Sequence, residues 1–582
     1  MLTGSILAIT GASALDYPNQ KELAQRLRQL AGRHEKLVRL ASLAKTAGKT
    51  EVWLVELGTG TREKRSQQPA MLAVAGIEGN DLAGSVSLLA WTEQLAADYS
   101  TNPKVRALLD STTLYVFPRL NPEAAELFFA RPKLEAEVNR RPVDEDHDGL
   151  VDEDGPNDLD ADGRITWMRV QDPEGDYIVD PQEGRLLMKA DRAKGEAGGW
   201  RFLREGRDDD HDEAWNEDGR GGVNLNRNFP YNYRFFAPGS GMNPVSEPVT
   251  RKLADFVVAH PNIGIVFTFG AADNLVQTPK GEPAKRPPTA IHEEDLPFYR
   301  ELGKAWREAL GLKKELTGGS EPGSFSDWMY FHRGRLSLAA RAWSPALQLE
   351  LSKAGEAKPD EKPAADKAPA NSDPKKETKP SEGPEKKGPP GAKPEDDKRN
   401  EEDRAFLKWV DQNSPGAFVP WKPFAHPDFP GKKVEIGGFA PFARSNPPER
   451  LLEDQARRQA GFLTQMAGKL PRVGIRKIQV KHLGKSVYDV TVEVENNGYL
   501  PTVMAQGAAA REVNPTRVVL KLEEAAVLSG SRQTTLGPIE GSGGMKEVRY
   551  ILNGKGRAKV EVEVVSLLAG TAKASIELKD QE

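Results

Sequence analysis

The stretch Met71–Ala90, MLAVAGIEGNDLAGSVSLLA, constrains the fold more than any other part of the chain. An apolar run of small and β-branched residues, Met71–Ile77, ends at a Gly-Asn turn, and apolar residues at helical spacing follow. This order predicts a strand, a tight turn and a helix. Two acids, Glu78 and Asp81, flank the turn. Because ligands of α/β folds bind at the carboxyl ends of strands, the acid pair predicts a functional site there.

Composition excludes several classes of function. The chain has 582 residues, enough for two to four domains at about 150 residues each. Its net charge is −5, and lysines and arginines are spread along it, which argues against nucleic-acid binding. No run approaches the roughly 20 apolar residues of a membrane span, so we expect a soluble protein. With no cysteine, disulfides, cysteine-zinc sites and thiol catalysis are excluded, and a transition metal would depend on eight histidines and the carboxylates.

Residues 1–15, MLTGSILAITGASAL, are small and apolar and contain an Ala-Ser-Ala that resembles a signal-peptidase site. No lysine or arginine precedes Lys21, so the basic start of a signal peptide is absent. The stretch is therefore either a truncated signal segment or a buried first strand.

Residues 16–352 alternate strand and helix patterns, which is typical of an α/β domain. We predict helices at Lys21–Leu40, from Leu82 to about Asp98 and at Leu296–Leu310. The apolar run Ile263–Phe269 predicts a buried strand.

Acidic repeats interrupt this domain at 144–166 and 208–218. Acids at alternate positions followed by Gly are the first half of a calcium loop. None of the three copies has Glu at the twelfth position, so they are not EF-hands, and we expect calcium-stabilised loops; the alternative is a solvated acidic loop. The candidate calcium ligands are Asp144, Asp146, Asp148, Asp152, Asp158, Asp160, Asp162, Asp208, Asp210 and Asp212.

The composition and the hydrophobic pattern change within the second half of the chain. Residues 353–403 contain mainly Lys, Glu, Asp, Pro, Ala, Gly and Ser, which predicts a disordered insertion. Residues 404–473 resume the pattern of the first domain. Residues 474–582 show short segments of alternating apolar residues, which predict a β-sandwich.

The motif Asn224–Phe229, NLNRNF, is similar to the (D/N)LNRNF motif of the zinc carboxypeptidase family. Asn121-Pro122, Ser246-Glu247-Pro248 and Asp327–Tyr330 (DWMY) support a resemblance that covers Tyr17–Val473. The resemblance implies an α/β fold with a mixed sheet flanked by helices, here with acidic loop insertions and a C-terminal β-sandwich.

In that family the Asn-Arg pair of the motif holds the terminal carboxylate of a peptide, which assigns substrate binding to Asn226 and Arg227. The alternative for Arg227 is a structural ion pair. The family's second substrate arginine matches either Arg140 or Arg141, and Gly319 lies where its mobile tyrosine is expected.

The catalytic positions depart from the family pattern. Glu78 and Asp81 stand where the family has the His and Glu ligands of zinc, and Gly270 stands in place of the third ligand. The position of the general base, fourteen residues after Asp327, is Arg341; Glu350 is a fallback that needs an insertion.

The sequence thus predicts a degenerate zinc carboxypeptidase with calcium expected and zinc not expected, because two carboxylates without an imidazole suit hard cations. The predicted function is non-catalytic binding of the carboxyl termini of peptides or proteins. The alternatives are an active metallocarboxypeptidase with unusual ligands and an envelope-associated protein that binds through its sandwich. The calcium-like loops and the first residues favour an extracytoplasmic, periplasmic or secreted, location.

Overall fold

The computed structural model of the protein describes residues 15–143, 149, 151–152, 154–209, 211, 215–216, 219, 221–356, 398–523, 526–554 and 559–578. The predicted signal segment before Leu15 and most of the predicted disordered insertion, residues 357–397, lie outside these ranges.

The strands of the described ranges form two large mixed or antiparallel sheets, one small two-stranded sheet and the two sheets of a C-terminal sandwich. In chain order they are β1 (Val38–Lys45), β2 (Glu51–Leu57), β3 (Ala70–Val74), β4 (Thr113–Phe117), β5 (Trp167–Gln171), β6 (Tyr177–Val179), β7 (Leu187–Lys189), β8 (Trp200–Arg204), β9 (Ile263–Phe269), β10 (Gly281–Glu282), β11 (Ile291–His292), β12 (Leu336–Ala340), β13 (Phe418–Phe424), β14 (Val434–Phe439), β15 (Val473–Gly484), β16 (Val487–Asn496), β17 (Thr516–Lys521), β18 (Val527–Ser529), β19 (Gln533–Gly537), β20 (Gly544–Asn553), β21 (Lys559–Ser566) and β22 (Gly570–Glu577).

The α-helices of the same ranges are α1 (Gln20–Arg33), α2 (Arg62–Ser66), α3 (Leu82–Asp98), α4 (Pro103–Ser111), α5 (Pro122–Ala125), α6 (Pro248–Ala259), α7 (Leu296–Leu310), α8 (Phe325–Phe331), α9 (Pro345–Glu356), α10 (Glu401–Asn413), α11 (Leu452–Ala467) and α12 (Ala505–Ala510).

The central sheet has the strand order β1-β2-β4-β3-β9-β12. β3, β4, β9 and β12 run parallel, and β1 and β2 are antiparallel additions, so the sheet is mixed as predicted. Every residue of β3 is buried, because Met71 and Ala73 face one hydrophobic core while Leu72 and Val74 face the other. A sheet covered on both faces accounts for the continuous apolar run in the sequence.

Two local predictions are confirmed and one is wrong. β9 and α7 have the predicted bounds. The first helix ends at Arg33, not at Leu40, because its cap is His34 and the chain from Val38 onward pairs with β2. Strand pairing therefore overrides the helical spacing of the last residues.

A second six-stranded sheet, β13-β14-β5-β8-β6-β7, was not predicted. It joins the region between the acidic loops to residues 418–439, since β14 pairs with β5. Its small core contains Met168, Val170 and Ile436. The acidic insertion and the later part of the domain therefore form one structural unit.

The predicted limits of the disordered insertion, 353–403, are wrong at both ends. Residues 353–356 belong to α9, and a short helical turn at Lys398–Asn400 leads into α10 at Glu401. The first turn of α10 is charged, but acids at this position favour a helix through the helix dipole, and α10 buries Phe406 and Leu407.

The C-terminal region contains two four-stranded sheets, β15-β16-β20-β18 and β19-β17-β21-β22, in agreement with the predicted β-sandwich. Alternate residues of β16 are buried, and Val490, Val492 and Val494 lie in the core shared with Val562 and Val564 of β21. The period of two in the sequence reflects this one-sided burial.

Candidate functional site

The carboxyl ends of three neighbouring parallel strands bring the predicted catalytic positions together. Glu78 and Asp81 follow β3, Gly270 follows β9, and Arg341 follows β12. All four line one cavity of about 320 Å³. Parallel strands end at the same edge of a sheet, which explains why residues so distant in sequence meet.

Glu78 is buried, with 3% of its surface exposed. Its Oε1 accepts hydrogen bonds from Asn226 Nδ2 at 2.7 Å and from the Ala271 amide at 3.2 Å, while Oε2 has no partner. Burial raises the pKa of Glu78 to about 7, and the charge of Asp81 acts in the same direction. Glu78 therefore gains and loses its proton near neutral pH.

Asp81 caps the amino terminus of α3. Its Oδ1 accepts a hydrogen bond from the Gly84 amide at 2.9 Å, and its Oδ2 is buried without a partner. Burial raises the pKa of Asp81 to about 6. A capping acid at a helix start is a common structural role, and here the same carboxylate also lines the cavity.

Gly270 approaches the acid closely. A Cβ atom at this position would lie 2.7 Å from Glu78 Oε2 and 3.3 Å from Asn226 Nδ2. The space of a third ligand's side chain is thus taken up by the Glu78 carboxylate and its partner.

Of the two candidate general bases, the structure brings the arginine to the site and leaves the glutamate outside. Arg341 Nε donates to the Ala271 carbonyl at 3.0 Å. Glu350 lies on α9, forms an ion pair with Lys314 at 3.2 Å and does not line the cavity, so the fallback is not supported. A guanidinium cannot accept a proton from water, so the base position provides no base.

The two predicted substrate-binding residues, Asn226 and Arg227, differ in burial. Arg227 lines the cavity with 40% of its side chain exposed, and its nearest acid is Glu321 at 3.7 Å. Asn226 is buried; its amide holds Glu78 and accepts from the Phe325 amide at 3.0 Å. Asn226 thus orients Glu78, and its predicted contact with a substrate carboxylate stays a prediction.

Neither candidate for the second substrate arginine lines this cavity. Arg141 forms an ion pair with the buried Glu247 at 2.6 Å, and Arg140 lines a separate cavity.

Sequence analysis did not identify several other charged residues that line the cavity. They come from loops remote in sequence, so no local pattern could have placed them at the site. They are Glu135, Glu137, Glu321 and Arg444.

The donors at this site do not fit zinc. Zinc sites in proteins use imidazole or thiolate ligands with or without a carboxylate, whereas this cavity offers two carboxylates beside the guanidinium of Arg341. In the described part of the chain, the three-donor group that could hold a metal does not include Glu78 or Asp81. The described residues at the ends of β3, β9 and β12 therefore do not match the zinc ligands and the general base that the resemblance implies for these positions.

That three-donor group lies in the second acidic repeat. Carboxylate oxygens of Asp158, Asp160 and Glu205 lie within 4.8 Å of one another. Glu205 is fully buried and was missed by the sequence analysis, because it reaches the loop from the end of β8. Asp162 Oδ1 accepts from the Arg164 amide at 2.9 Å.

The other predicted calcium ligands are not joined into such a group among the described residues. Asp152 Oδ1 accepts from the Gly221 amide at 3.3 Å, and Asp208 Oδ1 accepts from the His211 amide at 2.7 Å. The remaining ones, Asp144, Asp146, Asp148, Asp210 and Asp212, lie outside the described residues.

None of the helices in the described ranges has the length and apolar character needed to cross a membrane.

The chain is similar to carboxypeptidases of several organisms over part of its length. It is 32% identical to carboxypeptidase D of Mus musculus over 126 residues, which are 22% of this chain and 9% of that protein. It is 26% identical to carboxypeptidase M of Mus musculus over 123 residues, or 21% of this chain and 28% of that protein. A zinc carboxypeptidase of Saccharothrix mutabilis subsp. capreolus is 26% identical over 127 residues, 22% and 29% of the two chains.

Solved structures show a similarity of the same kind. Bovine thrombin-activatable fibrinolysis inhibitor, in complex with tick carboxypeptidase inhibitor, aligns over 56% of this chain and 86% of its own with 15% identity and a TM-score of 0.36. Carboxypeptidase A from Helicoverpa armigera aligns over 56% and 65% with 12% identity and a TM-score of 0.35.

Two family models match the chain. A domain of unknown function (DUF8731) matches residues 472–577, the region of the sandwich. The zinc carboxypeptidase model matches residues 23–156 and 191–358, which together are more than half of the chain. The protein therefore belongs to the zinc carboxypeptidase family.

Proposed function

We propose that this protein is a non-catalytic member of its family that binds the carboxyl termini of peptides or proteins. The observation that carries the proposal is Arg227, which lines the cavity half-exposed while the zinc and base positions hold Glu78, Asp81, Gly270 and Arg341. An arginine fork suits a carboxylate because it can donate two parallel hydrogen bonds.

The weak pairing of Arg227 supports a ligand role over a structural one. Its separation from Glu321 is 3.7 Å, longer than a charge-assisted hydrogen bond, and both side chains are partly exposed. Such a pair contributes little to stability, so a carboxylate ligand can replace Glu321 without loss of fold.

Arg227→Ala tests the proposal. We expect wild-type protein to bind dialanine and pentaalanine with a free carboxylate more tightly than their carboxamides, and Arg227→Ala to lose about tenfold or more of that preference. Isothermal titration calorimetry gives both affinities. Arg140→Ala, an arginine of a separate cavity, is the matched control and should retain it.

Hydrolysis separates the pseudoenzyme from the active alternative. Wild-type protein should bind no stoichiometric zinc after zinc dialysis and should release no alanine from acetylated dialanine, as measured by metal analysis and mass spectrometry. Stoichiometric zinc together with turnover would establish the active metallocarboxypeptidase instead.

We also propose that the loop Asp158–Asp162 binds calcium with help from Glu205. The support is the closeness of three carboxylates in a loop that has the alternating acids of calcium loops. In this proposal, Glu205 provides the carboxylate ligand that the loop lacks at its twelfth position. Calcium at such a site is consistent with an extracytoplasmic location, which fractionation of the source cells would test.

A further inference from the structure

The carboxylates that line the cavity include those of Glu78, Asp81, Glu135 and Glu137. Among the described residues none of the four forms an ion pair; their partners are amides, such as Asn80 Nδ2 for Glu135 and Asn224 Nδ2 for Glu137. The negative charge of Glu137 also raises the pKa of Glu78. Amide groups instead of ion pairs thus hold these acids among the described residues, and the charge of Glu135 also interacts with that of Arg204.

Two of these acids each retain a buried oxygen with no hydrogen-bond partner, Glu78 Oε2 and Asp81 Oδ2. The first oxygen of each side chain is held by the protein, through Asn226 for Glu78 and Gly84 for Asp81. The carboxylates are thus oriented, while half of their acceptor capacity is unused. A buried acceptor without a donor destabilises the free protein, and a ligand that donates to it removes that cost.

Guanidinium groups line the same cavity. Arg227 lies 3.7 Å from Glu321, and Arg341 donates through Nε to the Ala271 carbonyl. The charge of Arg341 interacts with that of the buried Asp273, but the two side chains form no ion pair among the described residues. Arg444, the third arginine of the lining, is paired with Asp403 at 2.6 Å. Arg227 and Arg341 therefore remain as the groups for an anion.

We propose that the cavity binds a small zwitterion, a free amino acid or very short peptide, whose ammonium group donates to Glu78 and Asp81 at the family's metal position and whose carboxylate contacts Arg227 and Arg341. This inference rests on the proposed function and narrows its ligand class. The volume of about 320 Å³ is at the lower end of ligand sites, which favours a short ligand with closely spaced charges.

An ammonium group fits this arrangement better than a divalent ion. It carries three N–H donors and a single charge, which match two unpartnered oxygens. Calcium and magnesium need six or more oxygen ligands, more than these two unpartnered oxygens provide. The ammonium can come from the amino terminus of the ligand or from a lysine side chain.

The experiment compares four probes by calorimetry in the presence of EDTA, at a pH above the pKa of Glu78. The probes are dialanine, dialanine amide, N-acetyldialanine and N-acetyl-alanyl-lysine. We expect dialanine to bind about ten- to a hundredfold more tightly than N-acetyldialanine, the effect of one buried charge-assisted hydrogen-bond group. Tight binding of N-acetyl-alanyl-lysine as well would identify the lysine side chain as a second source of the ammonium.

Glu78→Gln is the informative variant, because its amide oxygen can still accept from Asn226 and Ala271 while the charge is lost. It should remove the preference for dialanine over N-acetyldialanine and leave the preference for a free carboxylate over an amide. Glu350→Gln, a neutralised acid outside the cavity, is the matched control and should keep both preferences.

The outcomes separate the two proposals. Two results would overturn the ammonium site while carboxylate binding stands. One is equal affinity of the wild-type protein for dialanine and N-acetyldialanine. The other is equal affinity of the wild-type protein and Glu78→Gln for dialanine. Equal affinity for dialanine and its amide overturns carboxylate binding itself. Dialanine binding that appears after addition of calcium or magnesium and is absent in EDTA also overturns the ammonium site, because the acids then hold a metal.

Discussion

Single residues decide what chemistry this member of the family can perform. The positions at the ends of β3, β9 and β12 converge as they would in an active site, yet they bring two acids, a glycine and an arginine to the cavity. The fold thus brings these positions together, while the residues that occupy them match neither the imidazole ligands of zinc nor the general base expected from the family.

The stability of the protein should depend on the protonation of Glu78. Burial raises its pKa from 4.5 to about 7, so the native state holds a proton that the unfolded state releases between those values. The contribution of Glu78 to the free energy of unfolding is full below about pH 4.5 and is lost as the pH rises through 7. The total loss is at most about 3 kcal/mol. Urea unfolding at about pH 5 and pH 8 measures this loss.

Glu78→Gln should flatten this part of the pH profile and be more stable than wild type at the higher pH, because no buried charge forms. Asp81 and Asp327, whose pKa values burial raises to about 6, should together preserve a fall of comparable size in both proteins. Identical profiles for wild type and variant would contradict a raised pKa at Glu78.

At the scale of elements, acidic loops and long-range strand pairing shape the inserted region. The second sheet pairs β5 with β14, which lie on opposite sides of the segment 357–397. The loop Asp158–Asp162 adjoins this sheet through Glu205, whose Oε2 accepts from the Thr166 amide at 2.8 Å. Calcium at the loop would thus support the start of β5.

The proposed calcium site predicts that calcium raises the melting temperature of the protein, because a ligand that binds only the native state stabilises it. At a hundredfold excess over Kd the gain is about 2.7 kcal/mol, or several degrees for a domain of this size. Differential scanning fluorimetry with calcium and with EDTA measures the shift. Asp160→Asn and Glu205→Gln should both abolish the shift.

Asp176→Asn offers a matched control, because Asp176 is an exposed acid paired with Arg192 away from the loop. It should retain the calcium shift. A shift that Asp160→Asn leaves unchanged would place calcium elsewhere in the chain.

At the scale of the whole molecule, the sandwich is attached to the carboxypeptidase-like domain through buried polar contacts. Asp295, at the start of α7, accepts from the Ala505 and Gln506 amides of α12 at 2.8 and 3.0 Å and from Tyr330 Oη at 2.9 Å. Gln506 Nε2 in turn donates to the Phe331 carbonyl at 2.8 Å. The first turn of α12 is therefore capped by an acid of the other domain.

Asp295→Ala should cost about 2–4 kcal/mol, because it leaves two amides and a hydroxyl buried without an acceptor. Urea unfolding followed by tryptophan fluorescence measures the loss. Glu512→Gln, which removes the more exposed ion pair with Arg333 across the same interface, should cost less than about 1 kcal/mol. A smaller loss for Asp295→Ala than for this control would contradict the capping role.

The sequence alone determined the elements whose pattern is local. The continuous apolar run of β3 and the alternation of β16 record burial on two faces and on one face, and both elements appear as predicted. The same holds for Glu78, Asp81, Gly270 and Arg341, whose places at strand ends follow from chain order and the resemblance to the family.

Only the tertiary structure decided the contacts between distant segments. It turned Asn226 toward Glu78, left Glu350 outside the cavity, and brought Glu205 to the acidic loop. The hydrophobic pattern of the sequence does not predict a pairing such as that of β5 with β14, because the pairing strand lies hundreds of residues away. The same is true of the donors that bind a buried carboxylate. Burial and hydrogen bonding across such distances are properties of the folded chain, and they set the charge and the shape of the cavity.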